Sequence, residues 1–445
     1  MTARAVRVLF VIGALVAGAP AGSAAATPQG NAVADWDEIA QNTVVASGAF
    51  QNEGLVYMAY VSAAVYDAAT SIEGGYEPYG HAVAAPRGAS TDAAVIEAAY
   101  RTLVNYFPSP RPAAAPDLDA LHDQALAAIP DGQAKRDGIT VGAAAANQVI
   151  GLRAHDGRLT PIATSSPFSP APGPGVWRRT PPAFVPPQTP WVGAVRPFVL
   201  ESPDQFLPAP PPPLSSRAWA RAFAEVKAYG GLTSSARTPE QTDIARFWST
   251  NVIVQYNQAL RDVAAARALS LLETARLMAM VNIVGADAQI SVMNAKYHYA
   301  FWRPVTAIDP TAVSASDGGP VPGFTDGNRR TVEEAGWRSL LTTPNHPEYP
   351  AAHGSLTSAM AEVFSEFLGT QRIELAVTST VVPTTRHFEW ARDLREEIVE
   401  ARLWGGLHYR FSSIAGLALG RQVARYDLDH AFEPVRRCRF VRPWH

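Results

Sequence analysis

Apolar residues along this chain recur at intervals of three and four far more often than they alternate, the pattern of helices that bury one face. From Asn31 to roughly Thr70 the chain reads as helical, with Val56, Ala59, Tyr60, Ala63, Ala64 and Asp67 keeping the period. Ala93 to Tyr106 follows and is stopped by Pro108, whose ring cannot continue a helix. Leu118 to Ala128 and Gly138 to Asp156 come next, the second rich in alanine and glycine, as close helix–helix contact requires. Further helices are expected over Ser216 to Tyr229, Pro239 to Ala264 and Ala265 to Tyr299. Thr238-Pro239-Glu240 opens the middle one with a hydroxyl cap and a proline in the first turn. The last are His353 to Leu368, Arg386 to Leu403 and Ser412 to Ala424, while Asp309 to Arg329 reads as loop. Strand patterns are scarce and no repeat is found. The expected class is all-α, two packed helix bundles.

Two segments depart from this pattern. Over residues 160–214 proline becomes dense, with Trp177, Phe184, Trp191, Phe198 and Phe206 interspersed. A disordered linker is poor in aromatics, so this segment is expected to wrap the helical body in extended form with its rings as anchors. A flexible linker is the alternative. At the N-terminus, Arg4 and Arg7 precede the apolar run Val8 to Val16 and the small residues Ala24-Ala25-Ala26. That order reads as a secretory signal peptide over residues 1–26. It leaves 27–445 as a single large helical domain, exported to the periplasm or the medium and free of the membrane once cleaved. No other stretch approaches transmembrane length in this reading.

Composition narrows the chemistry. A formal net charge of −3 argues against nucleic acid as a partner. The single cysteine, Cys438, rules out an intrachain disulfide and a multi-cysteine metal cluster. Against this near-neutral background, cationic residues concentrate between 285 and 425 in three short stretches: Lys296-Tyr-His-Tyr-Ala-Phe-Trp-Arg303-Pro304, Pro350-Ala-Ala-His353-Gly354 and Arg402-Leu-Trp-Gly-Gly-Leu-His408. Lys296 and Arg303 fall on nearly one face if the helix runs on to Trp302. Two such cations can grip different oxygens of one anion, the lysine as a point charge and the arginine as a fork. His353 stands where a helix is expected to begin, beside backbone N–H groups that have no partner within the helix, and is placed to move a proton. Gly405 and Gly406 allow the bend that brings Arg402 and His408 to one point. Each stretch alone is equally a solvated cationic face, a helix-capping histidine or a glycine bend.

Together, Lys-x6-Arg-Pro, Pro-x-x-His and Arg-x5-His in this order resemble the vanadium-dependent haloperoxidases, which share their site with the type 2 phosphatidic acid phosphatase superfamily. The flanks resemble the exported bacterial haloperoxidases, notably Lys296 to Ile308, His346-Pro-Glu-Tyr-Pro350, Thr180-Pro-Pro182, Arg237-Thr-Pro-Glu-Gln241 and Phe247-Trp248. The resemblance covers about Tyr57 to Arg421. It implies vanadate as prosthetic group, with His408 as the nitrogen ligand to vanadium. Lys296, Arg303, Arg402 and the Ala352 N–H would hold oxygens, and His353 would be the acid–base. It implies hydrogen peroxide, halide and a small organic substrate as partners, and an oligomer is compatible with it. His346 stands where many bromide-oxidising members carry histidine, so bromide and iodide are expected over chloride.

The chain departs from the family pattern twice. Ala351 and Ala352 replace the usual serine and glycine before the histidine, and Ser412 stands where an aspartate often follows the second histidine by four residues. The missing carboxylate weakens the case for His408 as a phosphate nucleophile. Asp287 and Glu348 are the candidate carboxylates behind the site. Two alternatives stay open. Phosphate fits the same site, so the protein is a phosphomonoesterase acting through a phosphohistidine, or a non-catalytic oxyanion-binding protein.

Overall fold

The computed structural model describes residues 31–160, 173–313, 317 and 325–435. The signal-peptide reading, residues 161–172 of the proline-rich segment and Cys438 lie outside the described residues. The helical class holds. In chain order the first helices are α1 (Ala32–Ala46), α2 (Gln51–Glu73), α3 (Thr91–Tyr106), α4 (Leu118–Ala127) and α5 (Gln133–Leu152). They are followed by α6 (Arg217–Gly230), α7 (Pro239–Phe247), α8 (Val252–Ala266), α9 (Leu271–Tyr299) and α10 (Pro304–Ile308). After α11 (Ala352–Leu368) comes a hairpin, β1 (Arg372–Ser379) and β2 (Thr384–Trp390), then α12 (Ala391–Trp404) and α13 (Arg410–His430).

The long helix α9 is the spine. Nearly every residue from Thr274 to Met293 is buried on all sides of it, which marks a helix enclosed by others rather than one lying on a surface. Helix α2 packs along it and carries α3 and α5 against itself, and α11 and α13, which pack on each other, also lie against α9. Ser270 and Glu273 open α9 with a reciprocal capping box. Helix α2 has the length and hydropathy of a membrane span, which the sequence reading had not credited to any second segment. Its residues are instead packed inside the protein against α3 and α9.

Several expected boundaries are corrected. The stretch from Asn31 to Thr70 is broken at Gly48, whose φ of 78° only glycine adopts without strain. The expected helix from Pro239 to Ala264 is two, because Asn251 caps a fresh start by accepting from the Ile253 N–H at 3.0 Å. Residues 386–390, expected as helix, form β2. Phe388 pairs with Leu375, and both are buried while their neighbours face out. That alternation was present in the sequence at Ile373, Leu375 and Val377 of β1, but not in β2, where only Phe388 is buried.

The described part of the proline-rich segment does lie along the body. Trp177, Trp191 and Phe198 are buried, whereas Phe184 and Phe206 are only half-buried. Asp287 of α9 clamps it by accepting the N–H groups of Phe198, Val199 and Leu200 at 2.7, 2.8 and 3.1 Å. Gly193 touches α9 so closely that a Cβ there would lie 2.6 Å from the Asn294 nitrogen. Asp287 therefore serves this segment and not the cationic stretches, contrary to the expectation that it stands behind the site. The segment also braces residues 343–345. Thr180 N donates to Asn345 Oδ1 at 2.8 Å, and Asn345 N donates to Gln188 Oε1 at 2.9 Å.

Candidate active site

Helix α9 ends at Tyr299, one turn after Lys296. Ala300 reverses the chain at φ 45°. Lys296 and Arg303 are thus not on one helix, as the seven-residue spacing suggested. Arg303 is the N-cap of α10, with Pro304 supplying the first-turn residue that needs no N–H partner. The two cations still meet, because the turn folds back on the arm 344–350. Lys296 Nζ donates to the Pro347 and Glu348 carbonyls, each at 2.9 Å. Arg303 Nε donates to the His346 carbonyl at 2.9 Å, and Glu348 N donates to the Phe301 carbonyl at 2.8 Å.

The arm leads into α11, which begins at Ala352, one residue before the expected start at His353, with Ala351 at the N-cap. Alanine offers no capping oxygen, and none of the side-chain capping seen at α9 occurs here. As the opening residue, Ala352 has an N–H with no acceptor inside the helix, and His353 follows in the first turn. Helices α11 and α13 are pressed together by glycines. A Cβ on Gly416 would lie 2.3 Å from the Ala351 carbonyl oxygen, and one on Gly420 would lie 1.8 Å from that of Ser355. Arg402 sits in the last turn of α12. The bend that follows requires Gly406, at φ 73° and close against the Gly230 carbonyl, and it delivers His408.

The fold brings Lys296, Arg303, His346, His353, Arg402 and His408 together and leaves Asp287 elsewhere. Lys296 and Arg303 are fully buried, and Arg402, His346, His353 and His408 are nearly so. Arg303 Nη1 is 3.1 Å from His408 Nε2 and also donates to the Leu407 carbonyl at 3.0 Å. A guanidinium only donates, so Nε2 presents a lone pair and the imidazole proton is on Nδ1. That proton is given to Glu348 Oε1 at 2.8 Å, which also accepts the Tyr409 N–H at 3.1 Å. Arg303 Nη2 also lies 3.0 Å from His346 Nδ1 and 3.4 Å from its Nε2, and Nδ1 is 3.2 Å from the Pro347 carbonyl, so this imidazole is shared between a donor and an acceptor. Arg402 is anchored through Nη1 to the Trp248 carbonyl at 3.1 Å, while its buried Nε has no acceptor in the protein.

Glu348 corrects the expectation drawn from Ser412. The carboxylate behind the second histidine is present, but it comes from the arm before α11, not from the turn after His408. Ser412 is left beside it, its hydroxyl 3.4 Å from the Glu348 carbonyl oxygen. The phrase His346-Pro-Glu-Tyr-Pro350 held the signal, although only the fold shows which histidine the glutamate serves. Gln289 and Trp248 also border the site, and nothing in the sequence marked Gln289.

Electrostatics follow from crowding. Burial holds Lys296 well below the ordinary lysine value, and repulsion from Arg303 and Arg402 adds to this against the pull of Glu348. Burial lowers Arg303 to about 10, and burial with Arg303 lowers Arg402 to about 9. His353 is held well below its usual value by burial and by Arg402, Lys296 and Arg303. His408 and His346 are lowered likewise, by burial first and then by Arg303. Glu348 moves the other way, to about 7, because burial outweighs the attraction of Lys296 and Arg303. Three buried cations face one carboxylate whose own charge is disfavoured. Such a set is satisfied by a multiply charged oxyanion.

Comparison with known proteins agrees with the helical fold. Residues 276–437 match the family model described as "VCPO second helical-bundle domain". Vanadium chloroperoxidase of Curvularia inaequalis is 25% identical over 279 aligned residues, 49% of this chain and 44% of that protein. The chain thus spans less than half the length of this curated relative. Two solved structures share the fold. One is "the first bacterial vanadium dependant iodoperoxidase", with TM-score 0.73, 20% identity and coverage of 92% of this chain and 97% of that one. The other is a holo-type "bacterial Vanadium-dependent chloroperoxidase", with TM-score 0.67, 17% identity and coverage of 88% and 94%. The whole chain thus shares its helical fold with these two proteins, and residues 276–437, which carry every residue of the cationic cluster, are similar to that second helical-bundle domain.

Proposed function

We propose that this protein is an exported, vanadate-dependent haloperoxidase that uses hydrogen peroxide to oxidise bromide or iodide. The observation that carries this reading is the lone pair of His408 Nε2, held among three buried cations and backed by Glu348. A nitrogen ligand and an oxyanion cradle in one place suit vanadate. The orphaned Nε of Arg402 is a further buried donor for one of its oxygens. Lys296, Arg303, Arg402 and the Ala352 N–H would hold oxygens, and His408 would bind vanadium. When bound, vanadate supplies a Lewis acid that activates peroxide without changing oxidation state.

The chain's own residues do the rest. Glu348 fixes His408 in the tautomer that presents Nε2 and raises its basicity. Burial and the nearby cations hold His353 well below its usual value in the free protein, so its imidazole would be able to take up a proton from hydrogen peroxide and give it back within the site. His346 supports Arg303 from the side away from His408, and its presence favours bromide and iodide. The two fold neighbours are named for different halides and decide nothing on this point. Hypohalous acid leaving the site would halogenate small organic molecules. Export rests on the order of Arg4, Arg7, the apolar run to Val16 and Ala24 to Ala26.

A second reading has an observation of its own. The Glu348–His408 pair gives the imidazole the carboxylate partner that a phosphohistidine mechanism needs, so a phosphomonoesterase is supported by the same geometry. A paired assay separates them. Metal-free protein is given vanadate, peroxide, bromide and a halogen-accepting dye, and in parallel a chromogenic phosphate ester. Vanadate-dependent bromination suppressed by phosphate supports the peroxidase. Ester hydrolysis inhibited by vanadate, without bromination, replaces it with the phosphatase.

A further inference from the structure

Two phrases of the chain, Arg237-Thr-Pro-Glu-Gln241 and Phe247-Trp248, bracket the short helix α7 and contribute no side chain to the cationic cluster. Helix α7 packs against α12, which carries Arg402 in its last turn. Arg237, just before the Thr238 cap, donates through Nη1 to the Gly231 carbonyl at 2.8 Å and to the Trp404 carbonyl at 3.3 Å. Its Nε donates to Thr242 Oγ1 of α7 at 2.9 Å. Trp248, which closes α7, is fully buried and is held at both ends. Its carbonyl accepts Arg402 Nη1 at 3.1 Å, and its indole Nε1 donates to Glu397 Oε1 at 2.8 Å. Glu397 is gripped in turn by Arg386 of β2, with Nε 2.7 Å from Oε1 and Nη2 2.5 Å from Oε2. Such a bidentate pair fixes the carboxylate plane as well as its position. One chain of hydrogen bonds thus runs from the hairpin through Glu397 and Trp248 to Arg402.

What matters chemically is the edge of Arg402 that is left free. A guanidinium grips an oxyanion with two parallel N–H groups. With Nη1 taken by Trp248, the edge formed by Nε and Nη2 remains, and the buried Nε has no acceptor in the protein. From these contacts we infer that Trp248 is a positioning residue for the bound oxyanion, locked by Glu397 and Arg386 so that its carbonyl turns the Nε edge of Arg402 into the cluster. Without the lock the long Arg402 side chain regains rotamers that binding must freeze again. Glu397 and Arg386 balance each other's charge, so the lock acts by geometry. The inference rests on the oxyanion cradle, which the peroxidase and phosphatase readings share.

The test is the phosphate affinity of metal-free, full-length protein, measured by titration calorimetry. Trp248→Phe keeps an aromatic ring in place and removes the indole N–H. It should weaken phosphate binding about fivefold, and Glu397→Leu, at a partly exposed position, should do the same. Glu397→Gln keeps the acceptor oxygen shared by Trp248 and Arg386 and should stay within about twofold of wild type. A double-mutant cycle separates positioning from general damage. In an Arg402→Ala background, adding Trp248→Phe or Glu397→Leu should change the remaining phosphate affinity less than about twofold. Equal losses in both backgrounds, no loss while Arg402 is present, or a Glu397→Gln protein as weak as Glu397→Leu each overturn the inference and leave the cradle intact. Wild-type protein that binds no phosphate overturns the cradle and the inference together. Glu397→Leu decides the matter if Trp248→Phe fails to fold.

Discussion

Replacing Glu348 by glutamine separates the two properties that make this site suit vanadate. The substitution keeps an oxygen for the His408 Nδ1–H and the Tyr409 N–H but removes the charge. Folding raises the Glu348 pKa from 4.5 to about 7. A group raised in the folded state contributes stability below its unfolded value, and that contribution is lost as pH climbs through the folded value. The ionised carboxylate is therefore a burden above about pH 7, of order 3 kcal/mol from a shift of roughly 2.5 units. Glu348→Gln should match wild type near pH 4 and gain stability by up to about 3 kcal/mol toward pH 8, read by urea denaturation. Binding should move in two directions. Loss of a negative charge beside three cations favours any anion, so phosphate affinity should hold or rise. Vanadate depends in addition on electron donation from His408, which the neutral amide supports less well. Its affinity relative to phosphate should fall about 10- to 100-fold. Titration calorimetry with each anion measures the ratio. An unchanged vanadate-to-phosphate ratio in a folded Glu348→Gln protein would refute the role given to the Glu348–His408 pair.

Other expectations follow from the same geometry. His408→Ala should abolish vanadate retention on gel filtration while leaving phosphate binding measurable through Lys296, Arg303 and Arg402; retained vanadate would sink the ligand assignment. Because Lys296 and His353 are held below their ordinary values in the free protein, a bound oxyanion should raise both and draw in protons. Phosphate binding should then weaken as pH rises, with proton uptake visible as a dependence of calorimetric heat on the buffer's ionisation enthalpy. Ala351→Ser restores a capping hydroxyl to α11 and should add about 1 kcal/mol of stability, read as a higher midpoint in urea. Gly420→Ala places a methyl group on the Ser355 carbonyl. It should cost several kcal/mol, on the order of 3, and lower vanadate affinity by displacing His353 from His408.

The sequence made the helical class and the site's members legible for different reasons. Helix periodicity is local, so α3 and α4 could be read nearly to their ends and α9 at its C-terminal end, while its start was placed six residues early, and the site residues travelled in short phrases with fixed spacing. What failed was geometry set by distant contacts. Lys296 and Arg303 looked like two turns of one helix because the reversal at Ala300 needs a left-handed residue that is not glycine. The hairpin of Arg372–Ser379 and Thr384–Trp390 escaped although the first strand alternates along its whole length, because the second buries only Phe388 and runs straight into the charged start of α12. Asp287 and Glu348 were indistinguishable as letters. One caps the proline-rich segment and the other holds His408, and only tertiary packing assigns them.

The most direct test is the rate of bromide oxidation by hydrogen peroxide as metal-free protein is titrated with vanadate, with bound vanadate followed in the same samples by vanadium NMR. Activity should be absent before vanadate is added, rise in proportion to the bound fraction and saturate at one vanadate per chain. Phosphate should displace vanadate and activity together. Full occupancy of the site without bromide or iodide oxidation, or oxidation that does not depend on vanadate, would contradict the proposed function.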